Sequence, residues 1–512
     1  MEDLLARMVQ LQQQQYQQQQ LLQLQQQQQQ YQQLLEIMLK KFENTSGSFL
    51  SDSIANSIGE FIHNQEEGTT FAAMEEPWIE INPTSIMNYK RYFNKTSLHR
   101  KPSAIRLLTS IFFENPTEII SMAGGMPNNS LFPILSGTFQ LRDGTSLTIN
   151  EADMERALQY SMTEGFPELI DWIDMLQKDI HGLPLQNCTD DRKSKTIITA
   201  GSQDGLSKMY EAVISENDYI LIETPCYSGT LCAIKPLRPR FLNISTDKDG
   251  IIPSELLRAL SRWSPLDAKN PNSDIPKILF MVPTGGNPTG VNYSLERKKE
   301  IYEIARTYDL LIIEDDPYYY LQFSQDYIPS FLSMDVDGRV LRSDSFSKLL
   351  SAGLRCGILT GPKYVIEQIL LHMQTSVVHA SGLAQMLILR ILEKWGLDGF
   401  KKHAIKSAEF YKERCQFTIE TAEKYLKGIA EWNKPAGGMF LWLKLVGVTD
   451  TSRLIMEKAI KKKVLFLPGN AFLYDDTKPC PYIRVAFSKN SDKEIIIAFQ
   501  RLAELVKEHR GY

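Results

Sequence analysis

Cysteine is scarce and scattered. The six residues, at 188, 226, 232, 356, 415 and 480, have neither metal-ligand spacing nor the density of a disulfide framework. That pattern excludes a zinc module and a disulfide-stapled scaffold, and it favours a reducing compartment. Cys226 and Cys356 read as small packing residues. Long apolar runs are also missing, since none approaches the roughly 18 residues of a membrane span. Positive charge is not in excess: the formal net charge is -5, so the chain has no electrostatic footprint for nucleic acid. Arginine is nearly absent from the start, where Met1-Glu2-Asp3 opens the chain and Arg7 is the one basic residue before Lys40. A mitochondrial transit segment is arginine-rich and acid-poor. The expected location is therefore the cytoplasm, with the mitochondrion second.

What the chain has in abundance is glutamine. Residues 10–33 hold eighteen of them, interrupted by Leu11, Tyr16, Leu21, Leu22, Leu24 and Tyr31. Such a tract buries no core and reads as disordered, or as a loose helix whose leucines favour self-association. Overall the chain is 43% hydrophobic, a globular composition, and its length allows two or three domains at roughly 100–200 residues each.

Four apolar stretches without polar alternation, 219–222, 278–282, 310–313 and 340–341, read as parallel strands buried on both faces. Just beyond them stand Tyr227, Asn287, Asp315 and Lys348. Open α/β sheets bind ligands outside the carboxyl ends of their strands. A fifth strand at 196–200 runs into the turn Gly201-Ser202-Gln203-Asp204-Gly205. There Leu206, Met209, Tyr210 and Val213 mark a helix whose N-terminus could hold a phosphate; the ordinary reading is a strand-to-helix turn capped by Ser202. Lys348 lies in Ser343-Asp344-Ser345-Phe346-Ser347-Lys348, with Arg355 seven residues on. A lysine can capture an aldehyde as an imine while hydroxyls and a planar guanidinium hold a phosphate, the two demands of pyridoxal 5'-phosphate. Alone, a lysine among serines is usually a solvated loop residue.

Taken together, these residues resemble the fold type I pyridoxal-phosphate-dependent aminotransferases, and among them the kynurenine/2-aminoadipate aminotransferase group. The resemblance runs from about Met87 to the C-terminus, roughly five sixths of the chain. It includes Ser121-Met122-Ala123-Gly124-Gly125-Met126-Pro127, Ala157-Leu158-Gln159-Tyr160, the turn at Gly201, Asn287-Pro288-Thr289-Gly290 and residues 315–318. It continues through the Lys348 segment, Pro468-Gly469-Asn470-Ala471-Phe472 and Tyr482-Ile483-Arg484.

The resemblance implies an α/β fold, with a mainly parallel sheet in a large domain and a smaller α+β domain. Residues 1–86 would be an added leader, 87–150 an arm and part of the small domain, 151–375 the large cofactor domain and 376–512 the C-terminal small domain. Lys348 would be the catalytic lysine. Asp315 would pair with the protonated ring nitrogen, with Asp316 beside it left to solvent. Asn287 and Tyr318 would donate to the cofactor's 3'-oxygen, and Tyr227 would stack on its ring. Ser202, Gln203, Ser345, Ser347 and Arg355 would form the phosphate cup, joined by Tyr160 from a neighbouring subunit.

For the substrate, Arg484 would fork onto the α-carboxylate and Arg106, in a mobile N-terminal segment, would meet the distal end. Gly125, Tyr160 and Asn287 would line the same space. The implied activity moves an amino group from 2-aminoadipate, kynurenine or a related aromatic amino acid to 2-oxoglutarate in ping-pong fashion. The implied assembly is a homodimer acting on small amino and 2-oxo acids, with no nucleic acid or membrane partner. Three alternatives remain open: another fold type I enzyme such as a β-lyase or decarboxylase, a transcription regulator with an aminotransferase-like body, and an assembly protein built on the leader. The regulator needs a basic N-terminal module that the glutamine leader does not provide.

Overall fold

Strands with no polar alternation need cover on both faces, and the fold supplies it. The computed structural model describes residues 87–114, 118–324 and 326–511; the glutamine tract and the rest of the expected leader, 1–86, lie outside them. Contacts divide the chain into Met1–Glu80 and Ile81–Tyr512, and every described element belongs to the second unit. A hairpin of β1 (Gly137–Gln140) and β2 (Ser146–Ile149) precedes the main sheet. That sheet comprises β3 (Ser194–Thr199), β4 (Tyr219–Thr224), β5 (Arg240–Asp247), β6 (Gly250–Ile251), β7 (Ile278–Met281), β8 (Leu311–Asp315), β9 (Val340–Ser345) and β10 (Gly357–Pro362). Their spatial order is β3-β10-β9-β8-β7-β4-β5-β6. The run β9-β8-β7-β4-β5 is parallel, and β10 lies antiparallel between β9 and β3.

Successive side chains point to opposite faces of a strand, so each central strand feeds two cores. Ile222, Phe280, Ile313 and Leu341 pack on one face against Leu206, Met209 and Val213 of helix Ser202–Val213 and Ile366 and Ile369 of helix Lys363–Gln374. Their neighbours Leu221, Leu279, Ile312 and Val340 pack on the other face against Ile301, Tyr302 and Ala305 of helix Leu295–Thr307 and Leu256 and Leu260 of helix Pro253–Leu260. The expected strands are all present. β9 runs four residues past Leu341, because Arg342, Ser343, Asp344 and Ser345 are buried as well. Arg342 and Asp344 satisfy each other there, so the apolar count understated the strand.

A second sheet is antiparallel throughout, in the order β11-β12-β14-β13, from β11 (Ala430–Trp432), β12 (Phe440–Leu445), β13 (Leu467–Pro468) and β14 (Tyr482–Ala486). Leu441, Leu443, Leu445, Ile483 and Val485 face helix Asp492–Arg510, which buries Ile495, Phe499 and Leu502 against them. The alternate residues Phe440, Trp442, Tyr482 and Arg484 occupy the opposite face. A long helical segment, Gly382–Leu426, precedes this sheet and bends at Gly396, whose φ of 61° is natural only for glycine. Among the described residues, no helix is long and apolar enough to cross a membrane.

Ile312 is fully buried at the centre of β8. Ile312→Ala is expected to cost about 2–5 kcal/mol of stability, seen as a lower urea midpoint, and an unchanged midpoint would contradict its central place in the core.

Candidate active site

The parallel strands all end on one edge of the sheet, and their loops bring the predicted residues together there. Asp315 is the last residue of β8, and Tyr318 stands three residues on. β9 ends at Ser345, whose Oγ accepts from Ser347 N at 3.1 Å and so caps the single turn Phe346–Lys348. The turn presents Lys348 Nζ 5.7 Å from the centroid of the Tyr318 ring. Burial lowers the Lys348 pKa, with Asp315 opposing and Arg355 and Arg484 reinforcing the shift. Asp315 is buried, and its Oδ1 has no hydrogen-bond partner among the described residues. Burial pushes its carboxyl up to about 8, helped by Asp316 and Asp344 and opposed by Lys348 and Arg342.

Asp316 departs from expectation. It is fully buried, not solvated, and pairs at 3.4 Å with Arg342 Nη2. Arg342 lies beneath the site and also reaches Asp344 at 2.7 Å and Glu314 at 3.9 Å, with its guanidinium 5.1 Å from the Tyr319 centroid. One cation thus serves three of the four clustered acids, and Asp315 is the one left over. Arg342, Asp344 and Glu314 were missed from the sequence. The triplet Glu314-Asp315-Asp316 closing a buried strand was the available signal, because such a triplet requires a buried cation nearby.

The turn after β3 brings a helix N-terminus and a guanidinium together. Gly201 caps helix Ser202–Val213 with φ 91°, and among the described residues no side chain accepts from its first amides, so Ser202 begins the helix instead of capping it. A Cβ at Gly201 would collide with the Arg355 guanidinium, so glycine is what admits that cation to the helix end. Arg355 Nη1 donates to Ser347 Oγ at 3.5 Å and to Ala352 O at 3.2 Å. Gln203 Nε2 donates to Gly229 O at 3.3 Å. That contact places Gln203 by the turn carrying Tyr227, whose ring leaves no room for a Cβ at Gly229.

Arg484 on β14 is held between aromatic faces, 4.3 Å from the Phe440 centroid and 5.2 Å from that of Phe472. Its Nη1 donates to Asn287 Oδ1 at 2.9 Å. Burial lowers its pKa, opposed by Tyr318 and Tyr227. The usual fate of an arginine on an alternating strand, exposure to water, does not apply here. Phe440 and Phe472 were not singled out from the sequence, although both lie within or beside the motif segments.

Arg106 and Tyr160 form a separate pair. Arg106 lies on helix Ala104–Glu114 and donates to Ser161 O at 3.1 Å while sitting 5.7 Å from the Tyr160 centroid. Tyr160 also meets the His379 ring edge-on at 6.1 Å. Among the described residues, no hydrogen bond, ion pair or ring contact ties either of them to Lys348 or Asp315. Gly125 is exposed, with nothing near its Cα where a side chain would go.

This constellation at the carboxyl ends of a parallel sheet defines a class of protein: an enzyme that pairs a lysine amine with a buried acid and an anion cradle. The family model for aminotransferase class I and II matches residues 133–502. The chain belongs to that family. It is 47% identical to the bovine (Bos taurus) kynurenine/alpha-aminoadipate aminotransferase, mitochondrial, over 82% of this chain and 100% of that protein. Among solved structures it resembles the aminotransferase Aro8 of Candida albicans, at 26% identity and TM-score 0.71, over 82% of this chain and 98% of that one. It also resembles the Pyrococcus horikoshii kynurenine aminotransferase solved with PMP, KYN and KYA, at 30% identity and TM-score 0.64, with the same coverage.

The unpaired carboxyl sets a pH dependence. Between its ordinary 3.8 and about 8, folded Asp315 keeps a proton that the unfolded chain has released. The folded state then binds more protons, so this contribution to stability falls as pH rises through that window and levels off above it. In the cofactor-free chain, Asp315→Asn is expected to flatten the fall in urea midpoint across that window; equal slopes for variant and parent would rule the assignment out.

Proposed function

We propose that the chain is a pyridoxal-phosphate-dependent aminotransferase. In this reading it takes the amino group of 2-aminoadipate, kynurenine or a related aromatic amino acid and passes it to 2-oxoglutarate in two half-reactions. One observation carries the reading: Asp315 is buried with an unpaired Oδ1, beside a half-buried lysine amine. A protonated ring nitrogen would give that carboxyl the donor and the cation it lacks. At the other end, the uncapped helix start and Arg355 fit a phosphate dianion.

Pyridoxal 5'-phosphate, when bound, supplies an aldehyde carbon and a ring that draws electrons from a substrate's α-carbon. The chain's own residues do the rest. Lys348 Nζ would hold the aldehyde carbon, and as a free amine it would serve as the base that moves the substrate Cα proton. Its lowered pKa favours the free base needed for both tasks. Asp315 would accept a hydrogen bond from the protonated ring nitrogen. Asn287 and Tyr318 serve the 3'-oxygen, and Tyr227 supports the ring face. Ser202, Gln203, Ser345, Ser347 and Arg355 hold the phosphate. Arg484, partly shielded from water by Phe440 and Phe472, would bind the α-carboxylate more strongly than an exposed arginine.

The dimer belongs to the same proposal. Ile105, Leu107, Leu108, Ile120, Met122, Leu131 and Leu135 are all exposed, Ile120 and Met122 at 93% and 94%. So much uncovered apolar surface on one stretch of a water-exposed chain calls for a partner surface, and a second copy would bring Gly125, Arg106 and Tyr160 to a shared boundary. Two domains, 151–375 around the eight-stranded sheet and 376–512 around the four-stranded one, would close on the substrate between them. The cytoplasm is our proposed location on the acidic, arginine-poor composition of the leader; the bovine relative's name says mitochondrial, and a fluorescent reporter fused behind residues 1–86 decides between the two.

Lys348→Ala is expected to abolish both transamination and the visible absorption band, and turnover retained by that variant would overturn the reading. Arg484→Lys keeps the charge but loses the planar fork. It should raise KM for the amino donor by roughly 10- to 150-fold, the equivalent of about 1.5–3 kcal/mol for a charged hydrogen bond. Product analysis with 2-oxoglutarate separates transamination from β-elimination and decarboxylation, and sedimentation tests the dimer.

A further inference from the structure

Asn287 sits on the loop of residues 283–292 between β7 and helix Leu295–Thr307. The neck of that loop is closed by a buried acid that has no part in the transamination chemistry. Glu223, next to last in β4, accepts from Val282 N at 2.9 Å through Oε1, just where the loop leaves the sheet. Through Oε2 it accepts from the Tyr293 hydroxyl at 2.5 Å, just where the loop returns. Tyr293 N donates to Pro283 O at 2.8 Å across the same neck. Inside the loop, Gly285 N donates to Asn292 Oδ1 at 2.7 Å and Gly286 N to Val291 O at 2.9 Å. The Tyr293 ring is wedged against Gly250, where a Cβ would collide with it. Glu223 and Tyr293 are both buried, and among the described residues Glu223 has no ion-pair partner within salt-bridge distance.

We propose that Glu223 and Tyr293 are positioning residues: together they clasp both ends of the 283–292 loop and so hold Asn287 where it fixes Arg484. The inference rests on the reading of Arg484 as the carboxylate-binding residue. Burial pushes the Glu223 carboxyl up to about 8, so near neutrality it carries a proton. With that proton in place, the contact to Tyr293 Oη can run in either direction while Oε1 still accepts from Val282 N. Glutamine reproduces this arrangement, its carbonyl facing Val282 N and its amide N–H facing Tyr293 Oη. Phenylalanine at 293 keeps the wedge and removes only the hydroxyl.

The test uses two variants and two readouts. In Tyr293→Phe, hydrogen exchange of the Gly285, Gly286 and Tyr293-position amides in the cofactor-free chain should speed up by roughly 5- to 30-fold, the effect of one lost buried hydrogen bond, while β8 amides stay unchanged. In the loaded enzyme, the same variant should raise KM for the amino donor by a comparable factor with kcat within about twofold. Glu223→Gln should match the parent in both readouts. Unchanged exchange in Tyr293→Phe would overturn the clasp. Faster exchange with unchanged KM would overturn its link to Arg484, and Glu223→Gln behaving like Tyr293→Phe would overturn the proton-bearing arrangement. Should the parent chain itself lack transaminase activity, the functional reading falls, and the clasp is still decided by exchange.

Discussion

Double-sided burial of the parallel strands is the constraint on which the rest of the molecule depends. β4, β7, β8 and β9 are covered by helices on both faces, so a polar side chain within them must find its partner inside the protein. Polar groups that need water or a ligand are therefore displaced to the strand ends. There the loops gather Tyr227, Asn287, Asp315 and Lys348 without any one of them being specified by its neighbours in sequence. The same constraint explains why Lys348 reaches the site on one short turn: Ser345 closes β9 and immediately caps the turn Phe346–Lys348.

The exceptions to that rule are informative. Glu314, Asp316 and Asp344 bring three acidic groups into a region that desolvates each of them, and Arg342 is the shared counter-ion. Lys298 adds a second buried cation, its Nζ donating to Pro329 O at 2.6 Å. A buried ion cluster of this kind is poor evidence for stability, since well-packed apolar groups often do as well. Its effect here is electrostatic. Arg342 lies beside Glu314, Asp316 and Asp344, whereas among the described residues Asp315 Oδ1 has no hydrogen-bond partner.

Much of this was legible in the sequence, and for a physical reason. A buried parallel strand announces itself as an unbroken apolar run, and the residues just beyond its end are restricted to the ligand side. That logic locates Asp315, Asn287, Tyr227 and Lys348 from their positions in the chain alone. It fails where polar residues satisfy one another. β9 looked two residues long because its apolar run stops before Arg342, and Asp316 read as solvated because its partner is 26 positions away. Arg484 was legible only by motif. The period of two that buries Ile483 and Val485 puts Arg484 on the opposite face, and nothing local says that Phe440 and Phe472 cover that face.

The Arg484–Asn287 contact joins the two sheets, and this bears on how specificity could arise. Arg484 is fixed by β14, whose register sets it opposite Trp442 and Leu467, whereas Asn287 is fixed by a loop of the eight-stranded sheet. A hydrogen bond of 2.9 Å between them means that any shift of one sheet relative to the other moves the guanidinium relative to Lys348. The α-carboxylate is common to every amino acid, so under the proposed role of Arg484 this contact would position donors without choosing among them. Choice must come from groups that meet the rest of the substrate. Arg106 is the charged candidate for that task, and it stands apart from the Lys348 cluster, beside Tyr160 and next to the exposed apolar stretch. Under the proposed roles, selection among donors would depend on whatever covers that stretch, while the chemistry would depend on the sheet.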